Sequence, residues 1–282
     1  SFINSWAGVL IGTDEGIVGE GLVMDVTVRE HIDEEAFDEA AQELLTAPLE
    51  HLRLADNAWK KFDRPCPPSN AYVYAVQLLG DIKGKKILDY GCGDGSLSVI
   101  LAKRGGLVRG FDTSSVSIQV AHRRALANGV EHAARFEKMS AYALQYDDES
   151  FDLVIGLDIL HHVEIDRAAK EVARVLRKGG RAVFQEPLGD SPGLQFIRRF
   201  VPVAVAIHEG SQERQLTYRD VEQLAKPFSR VTYKEFQLFS RLDRVIASLT
   251  FKRRLNRLDE RLLNAFPFLK RYARQIVIDL AK

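Results

Sequence analysis

The stretch Ile87-Leu88-Asp89-Tyr90-Gly91-Cys92-Gly93-Asp94-Gly95 decides how this chain is read. A short apolar run, Lys86–Tyr90, ends on three glycines at alternate positions. Glycines so spaced let a backbone turn tightly at the carboxyl end of a strand and pass close to a ligand. Two kinds of ligand compete for such a loop. A dinucleotide site reads G-x-G-x-x-G, with a pyrophosphate on the following helix N-terminus. Here Ser96 stands where the third glycine of that fingerprint belongs. Asp89 and Asp94 would also repel a pyrophosphate, whereas carboxylates suit a ligand bearing cations.

Downstream, short β-branched or leucine-rich runs alternate with helical segments. The predicted strands are Lys86–Tyr90, Leu107–Asp112, Ala134–Met139, Phe151–Gly156 and Arg181–Glu186, and the predicted helices cover 96–104, 115–127 and 166–177. Alternation at this spacing implies βαβ units and a doubly wound, mostly parallel sheet buried on both faces. Asp112 ends the second strand, in Phe111-Asp112-Thr113-Ser114. One βα unit after the glycine loop, it is placed to accept hydrogen bonds from both hydroxyls of a ribose. Beyond Pro187 come a hydrophobic loop, a helix opened by Thr217, a strand at Arg230–Phe239, a basic helical insert and a last strand near Ala273–Leu280.

Upstream, residues 1–30 are punctuated by glycine and hold short β-prone runs, read as strands or a hairpin. Asp33 opens an acidic amphipathic helix that Pro48 stops. Arg64-Pro65-Cys66-Pro67-Pro68 is a stiff connector, and Tyr72 to Leu79 forms a helix leading into the main domain. The expected organisation is an acidic appendage over 1–79 and a catalytic domain over 80–282, with acceptor-side elements at 188–216 and 240–270. The 282 residues carry no net charge, but its distribution is uneven. Residues 1–56 hold thirteen Asp or Glu against two Arg, while 195–282 hold eighteen Lys or Arg against nine Asp or Glu. Such polarity steers charged partners or docks the two ends on each other, within a monomer or across a homodimer. Two distant cysteines fit a reducing compartment. Asp14 and Glu15 interrupt the first apolar run and no basic leader precedes it, so the cytoplasm is the expected location.

These motifs together resemble the class I S-adenosylmethionine-dependent methyltransferases, in the small-molecule group similar to the ubiquinone and menaquinone enzymes. The resemblance covers about residues 80–190 well and the remainder more loosely. The glycine loop resembles the family's first motif and Asp112 its ribose-binding acid. Phe151-Asp152-Leu153-Val154-Ile155 resembles the fourth strand, Leu160-His161-His162-Val163 the opening of the next helix, and Leu176-Arg177-Lys178-Gly179-Gly180 the turn before the fifth strand. Two departures stand out: Ser140 replaces the usual Asp before Ala141, and Lys178 replaces a customary Pro. The resemblance implies S-adenosyl-L-methionine as cofactor, S-adenosyl-L-homocysteine as product, and a seven-stranded sheet whose last strand is antiparallel. It carries cofactor contact to Asp89, Gly91, Gly93, Gly95, Asp112, Thr113, Met139, Ser140, Ala141 and Leu157.

Methyl transfer from a sulfonium is an in-line displacement that needs alignment and exclusion of water. A hydroxyl acceptor benefits from a general base, and histidine suits that role near neutral pH. His161 and His162 follow the fourth strand; side chains about 100° apart on a helical turn leave at most one facing the acceptor. Glu186 ends the fifth strand and either binds or deprotonates an acceptor, or caps a helix. His208 is a rival base if the apolar 196–207 stretch folds over the pocket, and a buried polar residue otherwise. Adjacent histidines do not readily chelate together, and no metal is expected. The helical insert Ser248–Phe266 places Leu249, Leu255, Leu258, Leu262 and Phe266 at helical spacing among Lys252, Arg253, Arg254, Arg257 and Arg261. It reads as an amphipathic helix packed on its own domain, or as a contact for a membrane surface or carrier protein. The basic residues lack interleaved aromatics, so no nucleic acid is expected. The reading is a small-molecule methyltransferase, with oxygen favoured as acceptor and nitrogen or carbon as alternatives. A dinucleotide-dependent oxidoreductase and a non-catalytic cofactor-binding partner are its rivals. Replacing Asp112 by Ala is expected to weaken binding of S-adenosylmethionine by about 2–3 kcal/mol in calorimetric titration of a folded variant.

Overall fold

The structure, a computed structural model, describes residues 41–55, 58–63, 70–189, 215–238 and 249–282. The strands expected within 1–30, the start of the acidic helix, the 64–68 connector, the 196–207 stretch and His208 lie outside these residues. Helix α1 (Ala71–Leu78) leads into strand β1 (Lys86–Tyr90), followed by α2 (Ser96–Lys103), β2 (Leu107–Asp112), α3 (Ser115–Ala127) and β3 (Ala134–Lys138). Then come β4 (Phe151–Leu157), α4 (Ile165–Val175), β5 (Leu176–Pro187), α5 (Tyr218–Ala225), β6 (Arg230–Phe236), α6 (Leu249–Ala265) and β7 (Gln275–Ala281). The seven strands form one sheet in the order β3-β2-β1-β4-β5-β7-β6.

Strands β1 to β5 run parallel, as the alternation of short runs requires. The antiparallel strand is β7, inserted between β5 and β6, so it is the sixth position of the sheet rather than its edge. Period-two alternation splits the core across both faces. Ile87, Leu153 and Ile155 point to the face covered by α1, α2 and α3. Leu88, Tyr90 and Val154 point to the face covered by α4 and α5. Helix α4 buries Ile165, Ala168, Ala169, Val172 and Val175, the stripe expected of a helix with one face on a sheet. Helix α2 buries Leu97 through Ala102 because the preceding segment packs on its outer side. The N-terminus of α5 is closed by a capping box between Thr217 and Asp220.

The described part of the appendage shares this core. Leu54, Ala58, Phe62, Val73 and Val76 belong to the same cluster as Ile87. Asn128 clamps the segment by donating to the Leu52 carbonyl (3.0 Å) and accepting from the Leu54 amide (2.9 Å). The Arg123 guanidinium donates to the carbonyls of Leu44, Leu45 and Ala47, at the end of the helical residues 41–46. At the other end of the chain, α6 packs beside edge strand β6, through the Glu260–Lys234 ion pair and buried Leu263. Here helical periodicity misleads: Asp259 and Leu263 are buried, whereas Leu258 and Phe266 of the expected apolar stripe are 47% and 46% exposed. Asp259 is accommodated because it accepts the Leu238 amide (2.9 Å).

Gly95 opens α2 with φ +75°, and an added Cβ would lie 2.7 Å from the Cβ of Ala121. Gly95→Ala is therefore expected to destabilise the fold by about 2–4 kcal/mol, combining left-handed strain with overpacking, as read by urea denaturation.

Candidate active site

Because β1 to β5 are parallel, their carboxyl ends share one edge. The order reverses between β1 and β4, the switch point at which open sheets of this kind bind ligands. Gly91 (φ +73°) and Gly93 (φ +48°) turn the loop after β1. An added Cβ on Gly91 would meet the Ile159 side chain at 2.6 Å, so the β1 and β4 loops touch where only glycine fits. The Gly93 amide donates to Asp112 Oδ2 (3.0 Å), and the Ser114 amide donates to Oδ1 (2.9 Å). Asp112 thus sits against the glycine loop at the end of β2, half-buried, with lone pairs remaining on both oxygens. Thr113 beside it is exposed.

Asp89 is 2% exposed and accepts the Ser98 hydroxyl at 2.6 Å. Burial, with added repulsion from Asp112 and Asp94, pushes its carboxyl up to about 7 against the opposing Ser98 hydrogen bond. Asp94 has a different task. It pairs with Arg124 (2.7 Å) and accepts the Ser96 amide (3.0 Å), so its charge is taken up within the protein. Sequence reasoning grouped Asp89 and Asp94 together; the long-range partner Arg124 separates them. After β3, the Met139 amide donates to the Asp112 carbonyl (3.1 Å), while the Ala141 carbonyl accepts the Tyr90 hydroxyl (2.9 Å). Ser140 between them is exposed.

A second cluster lies after β4. Glu186, at the end of β5, is fully buried. Its Oε1 accepts the amides of Ile159 (2.9 Å) and Leu160 (2.7 Å), and its Oε2 lies 2.7 Å from His161 Nδ1. Both oxygens are therefore engaged by the turn Leu160–His162 that carries the histidines. The His161 ring lies 4.0 Å from that of His162, centroid to centroid, and His162 is exposed. Leu157, half-buried, ends β4 just before this turn. Two further residues went unnoticed in the sequence. Asp158 adopts φ +52° and accepts Gln185 Nε2 (3.0 Å). Burial, reinforced by the Glu186 charge and offset by His161, pushes the Asp158 carboxyl up to about 7. No short motif marks that placement, since Gln185 and Glu186 reach it from the next strand.

The donor set fits a cationic, phosphate-free cofactor. Two carboxylates, Asp89 and Asp112, frame the glycine loop, and the Arg124 guanidinium nearby is spent on Asp94. Residues 88–184 match the methyltransferase domain family. The chain carries a class I S-adenosylmethionine-dependent methyltransferase domain. A ubiquinone biosynthesis O-methyltransferase of Alkalilimnicola ehrlichii is 39% identical over 112 residues, covering 39% of this chain and 45% of that protein. The chain spans about half the length of the curated relatives it matches. Among solved structures, geranyl diphosphate C-methyltransferase from Streptomyces coelicolor A3(2) aligns with TM-score 0.55 and 15% identity, over 98% of this chain and 92% of that one. The cyclase SpnF aligns with TM-score 0.56 and 17% identity, over 87% and 95%. These two likenesses show the methyltransferase fold. No helix among the described residues is long and apolar enough to cross a membrane.

Since a bound cation favours ionised Asp89, binding to this methyltransferase domain should release a proton near neutrality. Affinity for S-adenosylhomocysteine is expected to fall about tenfold or more between pH 7.5 and pH 5.5, and Asp89→Asn to flatten that dependence, in calorimetric titrations.

Proposed function

We propose that this chain transfers a methyl group from S-adenosylmethionine to an oxygen of a small, carbon-rich molecule. The observation that carries this reading is the 2.7 Å contact between His161 Nδ1 and the buried carboxylate of Glu186, at the carboxyl edge of the sheet. The cofactor, when bound, supplies a methyl carbon made electrophilic by its sulfonium. Asp89 and Asp112 favour its cationic and ribose ends, and the glycine loop lets the backbone approach it.

Glu186 already accepts two backbone amides, so as a carboxylate it takes a third hydrogen bond from Nδ1–H. That fixes the neutral tautomer of His161 and leaves the ring's basic lone pair on Nε2. Nε2 then accepts the proton of the acceptor hydroxyl as its oxygen attacks, and Glu186 stabilises the imidazolium that forms. In this reading Glu186 is a positioning residue and does not touch the acceptor. The relatives named as O-methyltransferases support oxygen as the acceptor atom. Exposed Leu258, Phe266 and Phe268, beside the exposed Arg257, Arg261 and Arg271, support an acceptor presented at a lipid surface or on a carrier. The same fold in the cyclase SpnF supports a second reading, in which cofactor is bound without methyl transfer.

The test is a radiolabelled methyl-transfer assay across a panel of hydroxylated aromatic and prenylated acceptors. His161→Ala is expected to lower kcat by about a hundredfold or more while cofactor affinity is kept. A comparable loss in His208→Ala would move the base to segment 188–216. Cofactor binding without turnover of any acceptor class would favour the non-catalytic reading.

A further inference from the structure

Single exposed apolar side chains are ordinary on a protein surface, but a contiguous run of them marks an interaction site. Such a run joins α6 to β7. Ala265, Phe266, Pro267 and Phe268 are all exposed, and the two phenyl rings lie 6.0 Å apart, centroid to centroid. Spacings of three, four and seven residues put Leu258, Arg261 and Ala265 on one face of α6, and all three are exposed. Between Leu249 and Arg274 the chain has two acids, Asp259 and Glu260, and the domain engages both. Asp259 is buried and accepts the Leu238 amide (2.9 Å), and Glu260 pairs with Lys234 (3.3 Å). Lys270 likewise pairs with buried Glu235 (3.4 Å). The fully exposed charges among the described residues here are therefore positive: Arg257, Arg261 and Arg271.

The strand register places this surface. Gln275 opens antiparallel β7 opposite Pro187, where parallel β5 ends, and Ile276 lies opposite Glu186. The Leu188 amide also donates to the Arg274 carbonyl (2.7 Å). Residues 266–272 therefore emerge at the carboxyl edge, beside the strand end that carries Glu186 and its His161 partner. We propose that this surface docks on a bilayer containing anionic lipid, with Phe266 and Phe268 entering its apolar layer and Arg261 and Arg271 meeting headgroup phosphates. Aromatic rings supply the apolar burial, and cations close to an anionic surface gain an attraction that salt screens. An acidic carrier protein would match the arginines, but two adjacent exposed phenyl rings match acyl chains better than a charged surface. Docking there holds the edge of the site against the layer in which a carbon-rich acceptor dissolves. That use rests on the methyl-transfer reading; the docking itself does not.

The test is co-sedimentation of the full chain with vesicles of phosphatidylcholine, alone or mixed with phosphatidylglycerol, without cofactor or acceptor. The wild type is expected to bind the mixed vesicles, about tenfold more tightly than phosphatidylcholine alone, and to lose that preference as salt is added. The double variant Phe266→Ser/Phe268→Ser should bind the mixed vesicles about tenfold or more weakly. Arg261→Gln/Arg271→Gln should lose about tenfold as well. Both variants should melt at the wild-type temperature, because all four side chains are exposed. Wild-type protein that stays in solution with both vesicle types, or undiminished binding by the phenylalanine variant, would overturn the proposal. Capture by an immobilised acidic acyl carrier protein in place of the vesicles would also overturn it and move the surface to a protein partner. Since cofactor and acceptor are absent, the result is independent of the methyl-transfer assay.

Discussion

Parallel pairing of five strands collects their carboxyl ends on one edge, and the arrangement of the candidate site depends on that constraint. Five acids reach this edge or its loops: Asp89, Asp94, Asp112, Asp158 and Glu186. Gathering so many carboxylates in a half-buried crevice is unfavourable unless each is satisfied separately. The protein uses a different device for each. Glu186 receives two backbone amides and an imidazole, Asp94 a guanidinium, Asp112 two backbone amides, Asp89 the hydroxyl and backbone of Ser98, and Asp158 one side-chain amide. Asp89 and Asp158 have no cationic partner to offset their burial, and their carboxyls are pushed up to about 7, with neighbouring carboxylates adding to the shift.

That ordering has a chemical meaning. Fully compensated acids act as fixed structure: Asp94 pins the start of α2 to α3 through Arg124, and Glu186 pins the turn after β4 to the end of β5. The incompletely compensated acid Asp89 favours an incoming cation. A cationic ligand relieves the repulsion it shares with Asp112 and Asp94, which gives the crevice a preference for positive charge even though the chain as a whole is neutral. The pairing of His161 with Glu186 belongs to the first group, and a buried carboxylate that orients an imidazole is a durable way to set its tautomer.

The order of the strand and helix runs was legible in the sequence because two-residue and 3.6-residue periodicities are local properties. The glycine loop was legible for the same reason: three glycines at alternate positions demand backbone freedom that the structure uses at φ +73°, +48° and +75°. The capping role of Thr217 was also local. Periodicity failed at α6, where Asp259 rather than Leu258 turned inward, because an amide from a segment 21 residues away satisfied the buried acid. It also left the place of β7 open, since which neighbour an antiparallel strand joins is decided by pairing across the sheet and not by its own residues.

The sequence by itself determined that a glycine turn follows a buried strand, that acids surround it, and that two histidines follow the fourth strand. These follow from residue type and short spacing, which act over a few residues. Only the tertiary structure decided which acid serves which task. Asp94 meets Arg124 across 30 residues, and Glu186 meets His161 across 25. Hydrogen bonding and charge depend on distance in space, and the distances that assign these roles exist only once the sheet has brought its loops to one edge.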